Sequence, residues 1–314
     1  MFPLKPKVYI DGKDGTTGLQ IYDRLSARAD IDLLLIDETK RKDRLERKKL
    51  MDAADIVFLC LPDAAAIEAV ELVENPKTRI IDASTAHRTS PDWDYGFPEL
   101  SGAHRAAIQN SKRVANPGCH ATGFISVVYP LVAMGLLPKD ECLSAFSLTG
   151  YSGGGKKMIA QYEAADKETA LFAPCPYGMG QSHKHLPEMQ KICGLDNKPV
   201  FTPIVDDYYK GMATTVPLHM SQLNGVSTLA EVRQKLADYY GGQTLVRVAD
   251  TTDTAKLYAN AQAGKDTLVL YVAGNDEQFT VTALFDNLGK GASGAAIQNL
   301  NILLGIDQAM GLNV

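Results

Sequence analysis

Short apolar runs recur through the first 117 residues, and each is followed by a stretch with helical periodicity or by a loop. Continuous apolar runs are typical of parallel strands that are buried on both faces of a sheet. Helical periodicity is clearest over Leu19–Arg28 and in the alanine-rich segment Ala64–Val73. The predicted strands are Lys7–Asp11, Ile31–Ile36, Ile56–Leu61, Arg79–Asp82 and Arg113–Ala115. This alternation predicts an α/β domain with a doubly wound parallel sheet over residues 1–117.

The pattern changes after residue 117. The apolar run Phe124–Leu137 predicts a helix that begins beside Cys119, and strand-like segments then alternate with longer loops. These segments are Ala145–Thr149, Thr214–His219 and Leu268–Val272. We therefore expect an α+β domain with an antiparallel or mixed sheet over residues 118–290. A last apolar helix is predicted at Ala295–Met310, and we expect residues 291–314 to pack back onto the first domain.

Composition and charge narrow the functional classes. A length of 314 residues exceeds a comfortable single core and supports two domains. The net charge of −5 and the absence of a base-reading motif argue against a nucleic-acid partner. Phe124–Leu137 is too short to span a bilayer, and residues 1–7 contain no apolar signal core. We expect a cytoplasmic protein with no membrane partner.

The cysteines also bear on the compartment. Their number is odd and they are scattered without close pairs, at Cys60, Cys119, Cys142, Cys175 and Cys193. This spacing argues against a disulfide framework and against a structural metal site. We expect five free thiols in a reducing compartment and no bound metal.

Cys119 is the candidate nucleophile. Pro117 and Gly118 interrupt the backbone just before it, which places Cys119 in the first turn of the predicted helix. Unpaired N–H groups and the helix dipole favour negative charge there, so the pKa of a thiol falls and the reactive thiolate is stabilised. A buried structural cysteine is the commoner case. The Pro-Gly-Cys-His turn is what favours the nucleophile.

A glycine-rich loop follows the first strand and opens the first helix. Such a loop lets the backbone approach a pyrophosphate, and the helix N-terminus supplies N–H donors. Any tight strand-to-helix turn can resemble it, and the spacing is not the G-x-G-x-x-G fingerprint. Its position at the first crossover nevertheless indicates a Rossmann-type dinucleotide-binding domain. The predicted cofactor contacts are Gly12, Gly15, Thr16, Thr17 and Gly18.

Two signals about the cofactor conflict. Asp37 lies where an acid would hold the ribose 2′-hydroxyl of NAD. Arg41 belongs to a basic cluster just beyond it, which could hold the 2′-phosphate of NADP or could be an ordinary solvated loop. We expect NADP (NADPH in the reductive direction).

Polar groups in three further segments are candidates for the site. His183 and His185 are candidate bases for a thiol because the ordinary pKa of histidine is near neutral, and Glu188 could fix a tautomer or bind substrate. Pro187 excludes a helix interior there, so the histidines belong to a loop or a helix entry. Arg88 follows a buried strand at the carboxyl edge of the sheet, where its planar fork could bind a phosphate or carboxylate. A second glycine-rich loop at residues 151–157, including Ser152 and Lys156, is equally compatible with an anion site and with a flexible surface loop.

Taken together, these motifs resemble the N-acetyl-gamma-glutamyl-phosphate reductases of arginine biosynthesis in their shorter form, and more distantly aspartate-semialdehyde dehydrogenase. The resemblance covers most of the chain. Its specific part is the Asn116–Gly123 block with the downstream His-x-His-x-Pro-Glu. Two departures are His120, where the family often has an aromatic residue, and Gly-Lys-Asp-Gly in the first loop.

The resemblance implies a mechanism. Cys119 would accept the acyl group of N-acetyl-L-glutamyl 5-phosphate, and phosphate would leave a thioester that NADPH reduces to the semialdehyde. His185, in preference to His183, would be the acid–base residue. Substrate contacts would come from Arg88, Ser152, Lys156 and Glu188, and Asn287 would join the cofactor contacts. The family also implies a homodimer or homotetramer.

Two alternatives stay open on the sequence. The catalytic motif does not specify the acyl phosphate, so aspartyl phosphate or a carrier-bound aminoadipyl phosphate could be the substrate. A non-catalytic NADP-binding sensor module would keep the fold but would have an unreactive Cys119.

Overall fold

The structure is a computed structural model that describes residues 5–250 and 256–314. Residues 1–4, part of the stretch interpreted above as lacking a signal core, lie outside the described residues. The chain forms two compact units. The first unit runs up to Pro117 and includes Ala292–Gly311, and the second consists of Gly118–Gly291 with Leu312–Val314.

The first unit is built on a parallel sheet. Its strands are β1 (Lys7–Asp11), β2 (Asp32–Leu34), β3 (Ile56–Leu59), β4 (Arg79–Asp82), β5 (Asp94–Tyr95) and β6 (Arg113–Ala115). They lie in the order β2-β1-β3-β4-β6-β5, and every pair is parallel. The predicted doubly wound sheet is confirmed. The second and third predicted strands end earlier than expected, at Leu34 and Leu59.

Helices cover this sheet. They are α1 (Thr16–Ser26), α2 (Arg44–Ala53), α3 (Asp63–Leu72) and α4 (Gly102–Asn110). The strand residues Val8, Val57 and Ile81 are fully buried, as apolar parallel strands require. Helix α1 begins three residues before the predicted start because Gly15 already takes the extended N-cap conformation.

The second unit contains a mixed sheet, as expected. Its strands are β7 (Ser144–Gly150), β8 (Cys175–Pro176), β9 (Val200–Asp206), β10 (Met212–His219), β11 (Val246–Val248), β12 (Leu268–Gly274) and β13 (Gln278–Phe285). Their order is β11-β12-β13-β10-β7-β9-β8. The β7–β9 and β11–β12 pairs are parallel and the other pairs are antiparallel.

The α-helices in the described part of this unit are α5 (Cys119–Ala133), α6 (Gly155–Tyr162), α7 (Leu186–Cys193) and α8 (Leu229–Tyr239). Helix α5 is buried almost all round and packs on β10, β13 and α7, so it is the central helix of the unit. The predicted loop at residues 151–157 is wrong. A 3₁₀ turn at Tyr151–Gly154 runs directly into α6, so Lys156 lies on a helix.

The chain returns to the first unit through a π-helical turn, Gly289–Ser293, followed by α9 (Gly294–Leu304). Helix α9 packs against α1, α4 and β4. The predicted helix extended to Met310, but it ends at Leu304 because Gly305 adopts a left-handed conformation with φ of 69° and caps it. None of the helices in the described ranges combines the length and hydrophobicity that crossing a membrane requires.

Candidate active site

Cys119 is the first residue of α5, as the sequence predicted. Gly118 precedes it in an extended conformation and provides no side chain to cap the helix. The N–H groups of the first turn therefore have no capping side chain on the N-cap residue, and the positive end of the helix dipole lies beside the sulfur. Cys119 is partly exposed rather than enclosed in apolar packing.

Glu188 fixes the residue before the cysteine. Its carboxylate is buried, and Oε1 accepts a hydrogen bond of 2.8 Å from the Gly118 N–H. His185 is the N-cap of α7 and Pro187 lies in the first turn, so the predicted helix entry is confirmed. Because α7 packs on α5, the His-x-His-x-Pro-Glu segment lies in the same unit as Cys119 and contacts its helix.

Three imidazole rings form a cluster there. The ring centroids of His183 and His185 are 4.8 Å apart. The ring centroid of His120 lies 5.5 Å from that of His183 and 5.7 Å from that of His185. The Phe201 ring lies edge-on to His120 and His183. Within the described residues, no group of three or more His, Cys, Asp or Glu side chains is arranged to hold a metal ion.

The protonation of His183 is constrained by its surroundings. Burial, and secondarily the positive charge of Lys184, lowers the pKa of His183 to about 4. Its Nδ1 accepts the backbone N–H of His185 at 3.2 Å. A neutral His183 therefore carries its proton on Nε2 and cannot accept another there. His183 is therefore poorly suited to accept the thiol proton, and the acid–base role of His185 stays a prediction.

The sequence reading did not find a second group of polar residues beside Cys119. The side chain of His120 is hydrogen-bonded through Nδ1 to Ser147 and through Nε2 to the Tyr177 hydroxyl, both at 2.8 Å. Ser147 in turn contacts Thr214 Oγ1 at 2.7 Å. Burial, and then the charges of His183 and Lys184, lowers the pKa of His120 to about 3, so this ring is neutral. The only sequence signal for this group is that His120 directly follows Cys119.

The loop that carries Tyr177 and His183 is tied to β9. The Gln181 amide donates to the Phe201 carbonyl and accepts the Phe201 N–H, both at 2.9 Å. The Tyr177 N–H donates to the Pro203 carbonyl at 3.0 Å. Gln181 has a φ of 53°, a conformation that non-glycine residues rarely adopt. A backbone bond at Tyr177 and the side-chain amide of Gln181 therefore hold this segment on β9.

Two glycines allow close approach to this site. A Cβ on Gly123 would meet Thr214 Oγ1 at only 2.3 Å, so glycine lets α5 lie directly on β10. A Cβ on Gly291 would meet the Cys119 Cβ at 3.1 Å. The π-helical turn therefore passes immediately beside the cysteine.

The glycine-rich loop of the first unit fits a dinucleotide. Gly12 has a φ of 86°, and a Cβ there would lie 2.4 Å from the Cys60 carbonyl oxygen. A Cβ on Gly18 would be equally close to the Gly12 carbonyl oxygen. Thr16 Oγ1 is shielded from solvent and has no hydrogen-bond partner in the described part of the chain. This unsatisfied hydroxyl and the uncapped start of α1 are suited to bind phosphate oxygens.

A pocket of about 260 Å³ adjoins the loop. The charged residues that line it are Asp11, Lys13, Asp14, Glu38, Arg41, Lys42 and Arg47. Arg41 pairs with Asp14, and Arg47 forms a largely buried ion pair of 2.7 Å with Asp11. Asp37 is exposed, and its carboxylate accepts from the N–H and hydroxyl of Thr39. The pocket therefore offers Arg41 and Lys42, but not Asp37, to a ribose substituent.

Arg88 lies at the carboxyl end of β4, as predicted, and is buried. Its Nε donates to the Asn116 carbonyl at 2.9 Å, and its Nη2 donates to the Ala83 carbonyl at 3.0 Å. These bonds fix the end of β6, two residues before Gly118. Sequence reasoning did not anticipate this use of the guanidinium, and phosphate binding by Arg88 stays a prediction.

The structure brings Ser152 and Asn287 together. The Asn287 amide donates to Ser152 Oγ at 3.0 Å and accepts the Gly211 N–H at 2.8 Å, and both side chains are buried. Lys156 is exposed on α6. Roles of these three residues in substrate or cofactor binding stay predictions.

The fold and the site define a class of protein. The family model described as "Semialdehyde dehydrogenase, dimerisation domain" matches residues 119–287, and that described as "Semialdehyde dehydrogenase, NAD binding domain" matches residues 35–110. Aspartate semialdehyde dehydrogenase II from Vibrio cholerae, complexed with ASA, is similar with a TM-score of 0.73 at 15% identity, over 96% of this chain and 98% of that one. Aspartate semialdehyde dehydrogenase with NADP from Candida albicans is similar with a TM-score of 0.64 at 16% identity, over 95% of this chain and 98% of that one. The chain is an oxidoreductase with the semialdehyde dehydrogenase fold.

Sequence relatives define the family more narrowly. The chain is 48% identical to N-acetyl-gamma-glutamyl-phosphate reductase of Brucella anthropi over 96% of its own length and 99% of the relative. It is 44% identical to N-acetyl-gamma-glutamyl-phosphate reductase 2 of a Nostoc species, over 98% of its own length and 99% of that relative. The chain belongs to the N-acetyl-gamma-glutamyl-phosphate reductase family.

Proposed function

We propose that this chain catalyses the NADPH-dependent reduction of N-acetyl-L-glutamyl 5-phosphate to N-acetyl-L-glutamate 5-semialdehyde and phosphate, a step of arginine biosynthesis. The observation that carries the chemistry is Cys119 at the start of α5 in the same unit as the His120, His183 and His185 cluster. The names of the relatives, at 44–48% identity over nearly the whole chain, carry the substrate.

The roles of the residues follow from this chemistry. His185 removes the thiol proton, and the Cys119 thiolate attacks the acyl carbon. Phosphate leaves with the electron pair of the C–O bond, and a thioester on Sγ remains. N–H groups in the first turn of α5 stabilise the oxyanion. Glu188 keeps that turn in place through the Gly118 N–H. Collapse of the reduced adduct returns the sulfur as thiolate and releases the aldehyde.

The cofactor belongs to the first unit in this proposal. NADPH, when bound, supplies the hydride that reduces the acyl carbon. Gly12, Gly15, Gly18 and the start of α1 hold its phosphates, and Thr16 Oγ1 provides a further donor. Arg41, with the neighbouring Lys42, binds the 2′-phosphate.

The decisive experiment assays the purified chain in both directions. N-acetyl-L-glutamate 5-semialdehyde with phosphate and NADP⁺ should give much faster turnover than aspartate semialdehyde or an aminoadipyl semialdehyde. Faster turnover of either competitor would refute the substrate assignment. A sensor module would give no turnover with any of them and an unreactive Cys119.

The cofactor assignment yields a prediction of its own. Arg41→Ala is expected to raise the KM for NADPH by about tenfold or more, because a charge-assisted contact with the 2′-phosphate is lost. The KM for NADH should hardly change. The neighbouring Lys40, which is exposed and does not line the pocket, gives the matched control Lys40→Ala. An equal rise for both cofactors would exclude a 2′-phosphate contact.

We also propose that the chain assembles with copies of itself as a homodimer or homotetramer. The outer face of β7 and β9 exposes Phe146 and Val200, which are 39% and 60% accessible, and the matching family model is described as a dimerisation domain. Phe146→Glu should reduce the mass measured by light scattering from two or four chains to one. Leu45→Glu, at an exposed apolar position of α2, is the control that should keep the parent mass.

A cytoplasmic location is consistent with this assignment. All five cysteines are free thiols, as expected, and this is typical of a reducing compartment.

A further inference from the structure

A continuous chain of hydrogen bonds leads from the core of the second unit to Tyr177. It runs from Thr214 Oγ1 to Ser147 Oγ, then to His120 Nδ1, and from His120 Nε2 to the Tyr177 hydroxyl, with distances of 2.7, 2.8 and 2.8 Å. Thr214, Ser147 and His120 are buried, whereas Tyr177 is partly exposed and ends the chain.

The protons in this chain can all point outward, toward Tyr177, or all point inward, toward Thr214. Only one of these two directions is favourable. Each hydroxyl carries one proton, and neutral His120 carries one on either nitrogen. If the protons pointed inward, the Thr214 proton would need an acceptor, but Ser147 is the sole hydrogen-bond partner of Thr214 Oγ1 among the described residues. A buried donor without an acceptor is unfavourable. When the protons point outward, Thr214 donates to Ser147, Ser147 donates to His120 Nδ1, and His120 Nε2–H donates to the Tyr177 oxygen. Each buried proton then has an acceptor.

In the outward arrangement, the proton of the Tyr177 hydroxyl is not used within the chain. Because the Tyr177 oxygen accepts from His120, its own O–H must donate elsewhere. Desolvation, and then the charge of the Cys119 thiolate, raises the pKa of Tyr177, so the phenol stays protonated at neutral pH. The phenol is also placed by geometry, because its oxygen is 2.8 Å from Nε2 of His120, the residue that directly follows Cys119 on α5.

We propose that Tyr177 is a further catalytic residue whose hydroxyl donates a hydrogen bond to the negative charge at the Cys119 centre, first on the thiolate and then on the acyl oxygen. His120, through Ser147 and Thr214, is the positioning residue that sets the direction of this donor. The proposal rests on the proposed function only in taking Cys119 as the nucleophile. The other titratable or charged groups of the cluster are His183, Lys184 and His185.

The test follows the pH dependence of Cys119 alkylation by iodoacetamide, read on the Cys119 peptide by mass spectrometry. Tyr177→Phe should raise the midpoint by about one pH unit, because a hydrogen bond that favours the thiolate is lost. It should also lower kcat about 10- to 100-fold while changing KM less than about threefold. Tyr258→Phe, at an exposed tyrosine of the same unit, should have the alkylation midpoint and the kcat of the parent.

A second set of variants tests the positioning residue. Ser147→Ala removes the donor to His120 Nδ1 without touching Cys119 or Tyr177, and should shift the midpoint in the same direction by a smaller amount. Ser147→Thr keeps a hydroxyl and should restore the parent profile. His120→Phe combined with Tyr177→Phe should be no more impaired than Tyr177→Phe alone, because the two residues act as one unit.

Each outcome decides a different point. An unchanged midpoint and kcat in Tyr177→Phe would overturn the proposal. A parent-like Ser147→Ala, beside an impaired Tyr177→Phe, would overturn the positioning role of His120. A shifted alkylation midpoint in an enzyme that reduces none of the acyl phosphates would support the hydrogen bond and refute the proposed function.

Discussion

Cys119→Ser is expected to fold normally and to lose on the order of 10³-fold or more in kcat, because a serine hydroxyl in this position stays protonated at neutral pH. The structure gives a physical reason for the size of the effect. Glu188 and the close approach of Gly291 hold the first turn of α5 where it is, so the oxygen would occupy the place of the sulfur without its charge. Both directions of the reaction should be affected equally.

The matched control is Cys142→Ser, an exposed thiol of the same unit. It should retain parent turnover. Thermal unfolding of both variants would show whether the fold is preserved. A Cys119→Ser enzyme with more than about a tenth of the parent kcat would end the assignment of this sulfur as the nucleophile. Iodoacetamide should inactivate the parent and the Cys142→Ser variant alike, and the substrate should protect both.

Local signals in the sequence were sufficient for most of the first unit. Strands Lys7–Asp11, Arg79–Asp82 and Arg113–Ala115 were predicted to the residue, because apolar runs bounded by turns leave little choice of register. The C-terminal helix was overextended to Met310, since Gly305 was not recognised as its stop. The start of α5 was correct because Pro117 and Gly118 precede it.

The polar partners of the site were harder to predict. Ser147 and Thr214 lie on different strands, and their contact with His120 depends on how β7 and β10 pair beneath α5. No local pattern encodes such a long-range contact. The same applies to Arg88, whose carbonyl partners became visible only with the folded backbone. Sequence reasoning singled out Cys119 as the candidate nucleophile, and the fold revealed which polar groups surround it.

The free energy of unfolding is expected to fall as the pH is lowered from 7.5 to 5, and His120 should account for a large share of this loss. Burial lowers the pKa of His120 to about 3, whereas in the unfolded chain it returns to the ordinary value of 6.5. Between these values the unfolded state binds a proton that the folded state excludes, so acid favours unfolding. His183, with its pKa lowered to about 4, acts in the same direction.

At about 1.4 kcal/mol per pH unit below 6.5, His120 alone should remove about 2 kcal/mol of stability at pH 5. Urea unfolding of the parent and of His120→Phe at pH 7.5 and pH 5 measures this. The variant is less stable at pH 7.5, because it lacks the bonds to Ser147 and Tyr177, but its stability should change less between the two pH values. His219→Gln, at an exposed histidine, should keep the parent difference. If His120→Phe also keeps it, folding does not lower the pKa of His120, and the folded protein binds this proton at pH 5 as readily as the unfolded chain does.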